Sequence, residues 1–425
     1  MSTPTDSAFN AIGTRFRLFP QAPVSPAFAE PDTVWIALAP EHVSPGPGDD
    51  RMYVIDPIEK TRHYDFPYLP PYDGPAHPPV EAGPDGHFDH LEIGSREFNA
   101  AHMYASVRVV LDIWEGYFGR AIEWHFQDRS DRLELIPHID WNNAHAGYGF
   151  IETGYRKNEA GDKIPLCLNF DVLAHELGHS ILYSEIGLPA QEAVTAEYVA
   201  FHESASDLVA IISALHFEST VDLLLSRTRG NLYMPNILNR IGELSPTEQI
   251  RLASNPLRMS DVPSIATPVT ELSYPARHRL GQPLTGAAFD ILVEIFQLNL
   301  VANGLISEEL DDACSGGPID DQQYEAVQRS FGEAYAGNHE GFRQALLDAR
   351  DYMGTCLAAA WSGLSWDLTF VEFGEALISV DRILTGGAYH DLIYESFVWR
   401  QITPVSFRTR LSFRERMAVV RRGGV

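Results

Sequence analysis

The sequence predicts an α+β fold with a β-rich N-terminal half and a mainly helical C-terminal half. Clusters of β-formers bounded by proline and glycine recur before residue 170, and apolar residues at helical steps dominate after it. No internal repeat is present, which argues against a solenoid. With 425 residues the chain is long enough for more than one compact core. Three stretches are expected: 1–95 as an arm, strands and a Pro-rich loop; 96–184 as a β-rich lobe ending in a polar-marked helix; and 185–425 as a helical lobe with an Arg-rich tail.

Taken in order, residues 1–30 have little apolar periodicity and read as an extended lead-in. "TVWIALAP" (33–40) and "RMYVIDP" (51–57) read as strands, and 64–90 holds too many prolines for regular structure. His87 and His90 lie in that stretch without a frame to make them ligands. Residues 96–119 form a helix, because Ala101, Tyr104, Val107, Val110, Leu111 and Trp114 share one face. "IEWHFQ" and "RLELIPHI" read as strands, and 146–170 as a hairpin turning near Asn158–Asp162. Helices are then expected over 170–184, 191–216, 285–300, 322–336, 340–360 and 366–384.

Composition excludes several classes. The chain has 31 basic and 58 acidic residues, and the net charge of −27 repels nucleic-acid phosphate and anionic lipid, so neither partner is expected. No run of about 18 uncharged apolar residues occurs, so no membrane span is expected. The N-terminus lacks the apolar core of a signal peptide, which points to the cytoplasm or to secretion without a cleavable leader. Cys167, Cys314 and Cys356 are odd in number and widely spaced, so a disulfide framework is not indicated. Oligomeric state is not encoded in any of these features.

"FDVLAHELGHSILYSE" (170–185) carries the chemistry. On a helix, His175 and His179 lie one above the other and can point two imidazoles at one ion. Glu176 is turned roughly 100° away, off the ligand face but within reach of a water on the ion. Zinc suits such ligands, and a catalytic zinc site needs a third protein donor. Glu185 is spaced as in the longer signature with a third histidine, but Leu182 stands where that signature needs glycine, and Gly187 comes too late. Glu203, in "AEYVAFHESASDLVAIISAL", is the better candidate, since its helix also presents Asp207 one turn on. Asp207 is placed to accept a hydrogen bond from the far nitrogen of a liganding histidine. His202 faces elsewhere on that helix.

The pattern H-E-x-x-H followed by E-x-x-x-D resembles the thermolysin-like gluzincin metallopeptidases. "NAAHMYASVRVVLDIW" (99–114), "WNNAHAGYGF" (141–150), "TGAAFDILVEIF" (285–296) and "FRQALLDARDYM" (342–353) are similar to further family segments, so the resemblance spans roughly 95–360. It implies a two-lobed thermolysin-like fold with the zinc site between a β-rich and a helical lobe. It also implies a zinc-dependent peptidase acting within peptide chains: His175, His179 and Glu203 hold the ion, Glu176 is the general base, and Asn143 and Ala144 meet an extended substrate.

The family uses a histidine near the helix resembling 285–296 to stabilise the oxyanion. After that helix the next histidine is His339, so His278 before it is the expected substitute, with Arg277 or Arg279 as alternatives. Tyr183 and Tyr198 are core residues first and transition-state donors second. Asp311, Asp312, Asp320 and Asp321 are the acids nearest to a calcium cluster, though solvated loop charge is the better reading of them. Segment 217–275 has no counterpart, and the family's secretion signal and long propeptide are not evident. Two alternatives stand beside the peptidase: a catalytically weak zinc-binding relative acting as a protein-interaction module, and a zinc hydrolase of non-peptide amides.

Overall fold

The computed structural model describes residues 13–245, 248–315 and 321–403, without the side chains of Ser315 and Asp321. Asp320, the Asp321 side chain and the Arg-rich stretch 408–422 lie outside the described residues. The architecture is mixed α+β, with long helices and small sheets. The chain forms two compact units. The first comprises the described residues up to Leu188 with Ala205–Arg227 and Asn236–Leu252; the second holds Pro189–Ser204, Thr228–Pro235 and the described residues from Ala253 on.

The first unit opens on a strand, β1 (Thr14–Leu18), which pairs antiparallel with β2 (Asp32–Ile36). The expected lead-in is therefore partly strand. Thr14, Phe16 and Leu18 point inward between Arg15 and Arg17, an alternation too short to stand out. β3 (Met52–Val54), β4 (Leu133–Ile136), β5 (Ala144–Gly147) and β6 (Phe150–Thr153) form one sheet in the order β3-β4-β6-β5. β5 is antiparallel to β6 and lies at the edge. α1 (Arg96–Phe118) follows the Pro-rich segment, and its Ser95 cap accepts from the Phe98 N–H at 3.0 Å.

Residues 64–90 carry no regular element, and buried groups anchor them. The Tyr64 hydroxyl donates to buried Glu134 at 2.6 Å, the Tyr72 N–H donates to the same carboxylate at 3.0 Å, and Phe88 stacks on Phe16 at 4.8 Å. The expected strand "IEWHFQ" is absent. Ile122, Trp124 and Phe126 do alternate into the core, but their backbone is held by side chains instead of a partner strand. Ile122 N–H donates to Glu115 at 2.9 Å and His125 N–H to Ser184 Oγ at 3.1 Å. Alternation signals burial, and a strand also needs a neighbour to pair with.

β7 (Tyr155–Lys157) and β8 (Lys163–Pro165) form the hairpin at Asn158–Asp162. α2 (Phe170–Ile186) is capped by Asn169, which accepts from the Val172 N–H at 3.2 Å. α3 (Ala196–Ala214) is one uninterrupted helix, and the division into units falls inside it, after Ser204. α4 (Glu218–Thr228) and the hairpin β9 (Arg240–Ser245)–β10 (Glu248–Leu252) complete the first unit; both went unread in the sequence.

Buried His102 of α1 fastens two neighbours. Its Nε2 accepts from the Phe19 N–H at 3.0 Å, so its Nδ1 must donate to the Cys167 carbonyl at 2.9 Å. Only the neutral ring can do both. Burial accordingly lowers its pKa from 6.5 to about 4, and burial also takes His125 down to about 4. A folded-state pKa below the unfolded one means the contribution is full above the unfolded pKa and is lost as pH falls towards 4. For His102 alone that amounts to about 3 kcal/mol. Urea midpoints should therefore drop between pH 7 and pH 4, and His102→Gln should flatten that slope while lowering stability at pH 7. A variant as steeply acid-sensitive as the parent would remove His102 from this account.

The second unit is helical. α5 (Tyr274–Ala302) begins well before the expected start at 285, because it accommodates Pro283 in its interior, the residue that normally ends a helix. It is long and apolar enough to cross a bilayer by composition, yet most of its apolar side chains are buried inside the protein. α6 (Glu308–Ser315), α7 (Asp321–Gly337), α8 (His339–Trp361), α9 (Phe370–Thr385) and α10 (His390–Trp399) follow. α5 packs on α8 and α10, and Gly281 lets it approach α3, since a Cβ there would lie 2.5 Å from the Ala200 carbonyl oxygen.

Candidate metal centre

α2 is buried nearly all round, so its polar residues are inside by placement. His175 and Glu176 are only 5% and 8% exposed, which costs free energy unless something engages them. α3 comes close because Gly178 faces Ser206: a Cβ at Gly178 would lie 2.8 Å from the Ser206 Cα. His175, His179 and Glu203 each offer a ligand atom, and these atoms all lie within 4.8 Å of one another. Four-coordinate zinc with bonds near 2 Å sets its ligands about 3.4 Å apart, so the donors fit an ion after an adjustment of roughly an ångström. Among the described residues this is the one such group of His, Cys, Asp or Glu.

Asp207 follows Glu203 by one helical turn and is fully buried. Its Oδ1 lies 2.9 Å from His175 Nδ1, a distance at which a protonated Nδ1 donates to the carboxylate and Nε2 keeps its lone pair. Arg251 of β10 donates from Nη2 to the same oxygen at 2.6 Å and from Nε to both carboxylate oxygens at 3.0 Å. The guanidinium also lies 3.0 Å from His175 Nδ1. Burial pushes the Asp207 carboxyl up, but Arg251 and His175 outweigh it and hold the group below its usual value.

His278, in the first turns of α5, presents Nε2 to Glu203 Oε2 at 2.9 Å, while its Nδ1 meets the Tyr274 carbonyl at 2.9 Å. The alternatives to His278 are committed elsewhere: Arg277 donates to the Leu272 and Val269 carbonyls, and Arg279 to the Asp261 carbonyl.

The other named residues divide clearly. Glu185 forms a two-pronged pair with Arg120, at 3.0 and 2.5 Å, and stands outside the donor group. Tyr183 packs beside His125 and Tyr198 beside His202, with ring centroids 5.2 and 4.5 Å apart. His87 Nδ1 accepts from the Arg15 N–H at 3.1 Å. Asn143 precedes edge strand β5, and Ala144 is buried against Leu166 and Val172 of α2. Asp311 and Asp312 join no metal-competent group among the described residues.

Sequence reasoning missed Arg251. Its only trace is "RIGELS" and "EQIRL" on either side of Pro246 and Thr247, two short runs that pair with each other.

No protein-family model matches the chain, and no curated protein matches it. Among solved structures it is similar to the precursor of protealysin, a metalloproteinase from Serratia proteamaculans, with 14% identity over 85% of this chain and 89% of that one and a TM-score of 0.48. The likeness is distant, and the functional reading rests on the side chains of this chain.

Proposed function

We propose that the protein is a zinc-dependent, thermolysin-like (gluzincin) peptidase of the two-lobed class, cutting within peptide chains. The observation that carries this reading is the convergence of His175, His179 and Glu203. An ion held by these residues would supply Lewis acidity towards a water and a substrate carbonyl. Glu176 takes the proton of the attacking water and returns it to the departing amine. Asp207 orients His175 and keeps it a donor of electrons through Nε2. His278 would have to turn Nε2 from Glu203, 2.9 Å away, to reach the oxygen that gains charge. Asn143 and Ala144 offer backbone and side-chain groups to a substrate laid along β5 as an added strand.

The reading is tested by metal analysis of the purified full chain and a mixed-peptide digest with and without a chelator. About one zinc per chain, with cleavage that stops on chelation and returns on adding zinc, is the expected result. Zinc without cleavage of any peptide would favour a binding module, and turnover of small amides alone would favour the amide hydrolase.

A further inference from the structure

β5 has two faces. Ala144 packs against α2, while His145, the next residue of the strand, turns to the opposite side, where Trp141 from the segment before β5 meets it. There the His63 ring stacks on Trp141, with centroids 4.5 Å apart and planes at 15°. His145 meets Trp141 edge-on at 4.9 Å and His63 at 5.5 Å. All three rings are half-buried, so each keeps part of its surface towards solvent.

The rings are held in place from below. His145 Nε2 lies 2.6 Å from Glu152 Oε1, and Lys60 Nζ donates to the other oxygen of that buried carboxylate at 2.6 Å. The Trp141 carbonyl accepts from the Tyr155 N–H at 2.9 Å, and the Trp141 N–H donates to the Ile139 carbonyl at 2.8 Å. A ledge ordered before a ligand arrives loses little side-chain freedom on binding. β5 is also the outermost strand of its sheet, and no described strand lies on its other side.

We infer that His63, Trp141 and His145 form a subsite selecting an aromatic side chain on a peptide that pairs with the β5 edge. This rests on the peptidase reading for the identity of the ligand as a peptide. An added strand turns every second side chain to the ledge face, beside His145. Aromatic rings gain from offset and edge-on packing beyond the area they bury, which an aliphatic side chain does not. The net charge of −27 disfavours an acidic side chain.

The test uses the full chain as Glu176→Gln, which holds peptides without cutting them, and isothermal calorimetry with peptides differing only in Phe, Ala or Arg at alternate positions. The Phe peptide should bind five- to tenfold more tightly than the Ala peptide, a ratio set by ring packing. His63→Ala and Trp141→Ala should each bring the ratio close to one, while Trp141→Phe, which protects folding, should keep it. Equal affinities, preference for Arg, no binding of any of the three, or a ratio untouched by His63→Ala and Trp141→Ala overturns the subsite. Cleavage by the wild-type chain is scored separately. Selective binding without wild-type cleavage sinks the peptidase reading alone, and cleavage without selectivity sinks the ledge alone.

Discussion

Glu176→Gln should retain zinc at the parent level and lose peptide hydrolysis, with kcat down by about 10² to 10⁴. The amide has the size and shape of the carboxylate but cannot accept a proton. Glu176 does not belong to the donor group, so its replacement leaves the three ligand atoms in place. Helical geometry gives the same answer, since a residue next to His175 is rotated roughly 100° from it. Glu176 is 8% exposed, so thermal unfolding is compared beside activity. Metal content, thermal unfolding and steady-state kinetics on one peptide make the comparison complete. Turnover equal to that of the parent would rule out Glu176 as the base, and loss of zinc would make it a ligand instead.

Much of the helical architecture is legible in the sequence, because a long helix repeats its apolar face several times. α1, α2, α8 and α9 all show this, and their ends fall within a few residues of the expected ones. Short strands repeat their pattern too few times. β1 is interrupted by two arginines, and β9 and β10 are six- and five-residue runs that mix polar and apolar positions. The 122–126 stretch shows the converse, a burial alternation with no strand behind it.

The candidate site divides along the same line. His175, Glu176 and His179 are readable because helical spacing alone puts them together. Asp207 follows from Glu203 by one turn of the same helix. That Glu203 stands with the histidines depends on how α2 and α3 pack, which periodicity does not encode; the sequence offers Glu203 only as a carboxylate on an otherwise apolar helix with Asp207 one turn on. Arg251 depends on a hairpin folding back onto α2 and α3, and no local pattern reports that.

The hairpin also sets the second large effect, Arg251→Met. Asp207 is fully buried and receives three of its hydrogen bonds from this one guanidinium. Methionine keeps much of the side-chain volume and leaves His175 as the remaining named partner of the carboxylate. Removing one member of a buried ion pair costs about 3–5 kcal/mol, mostly the penalty on the charge left behind. A misplaced or protonated Asp207 would also loosen His175, and loss of such an outer partner typically weakens metal binding by about 10- to 100-fold. The expected result is a lower urea midpoint together with a weaker zinc titration. Pairing Arg251→Met with Asp207→Leu separates the two effects. The double variant removes the stranded charge, so it should regain part of the stability, while zinc affinity stays low because nothing orients His175. If the single variant matches the parent in both measurements, the guanidinium is a bystander; if the double variant recovers zinc affinity as well, His175 does not depend on Asp207.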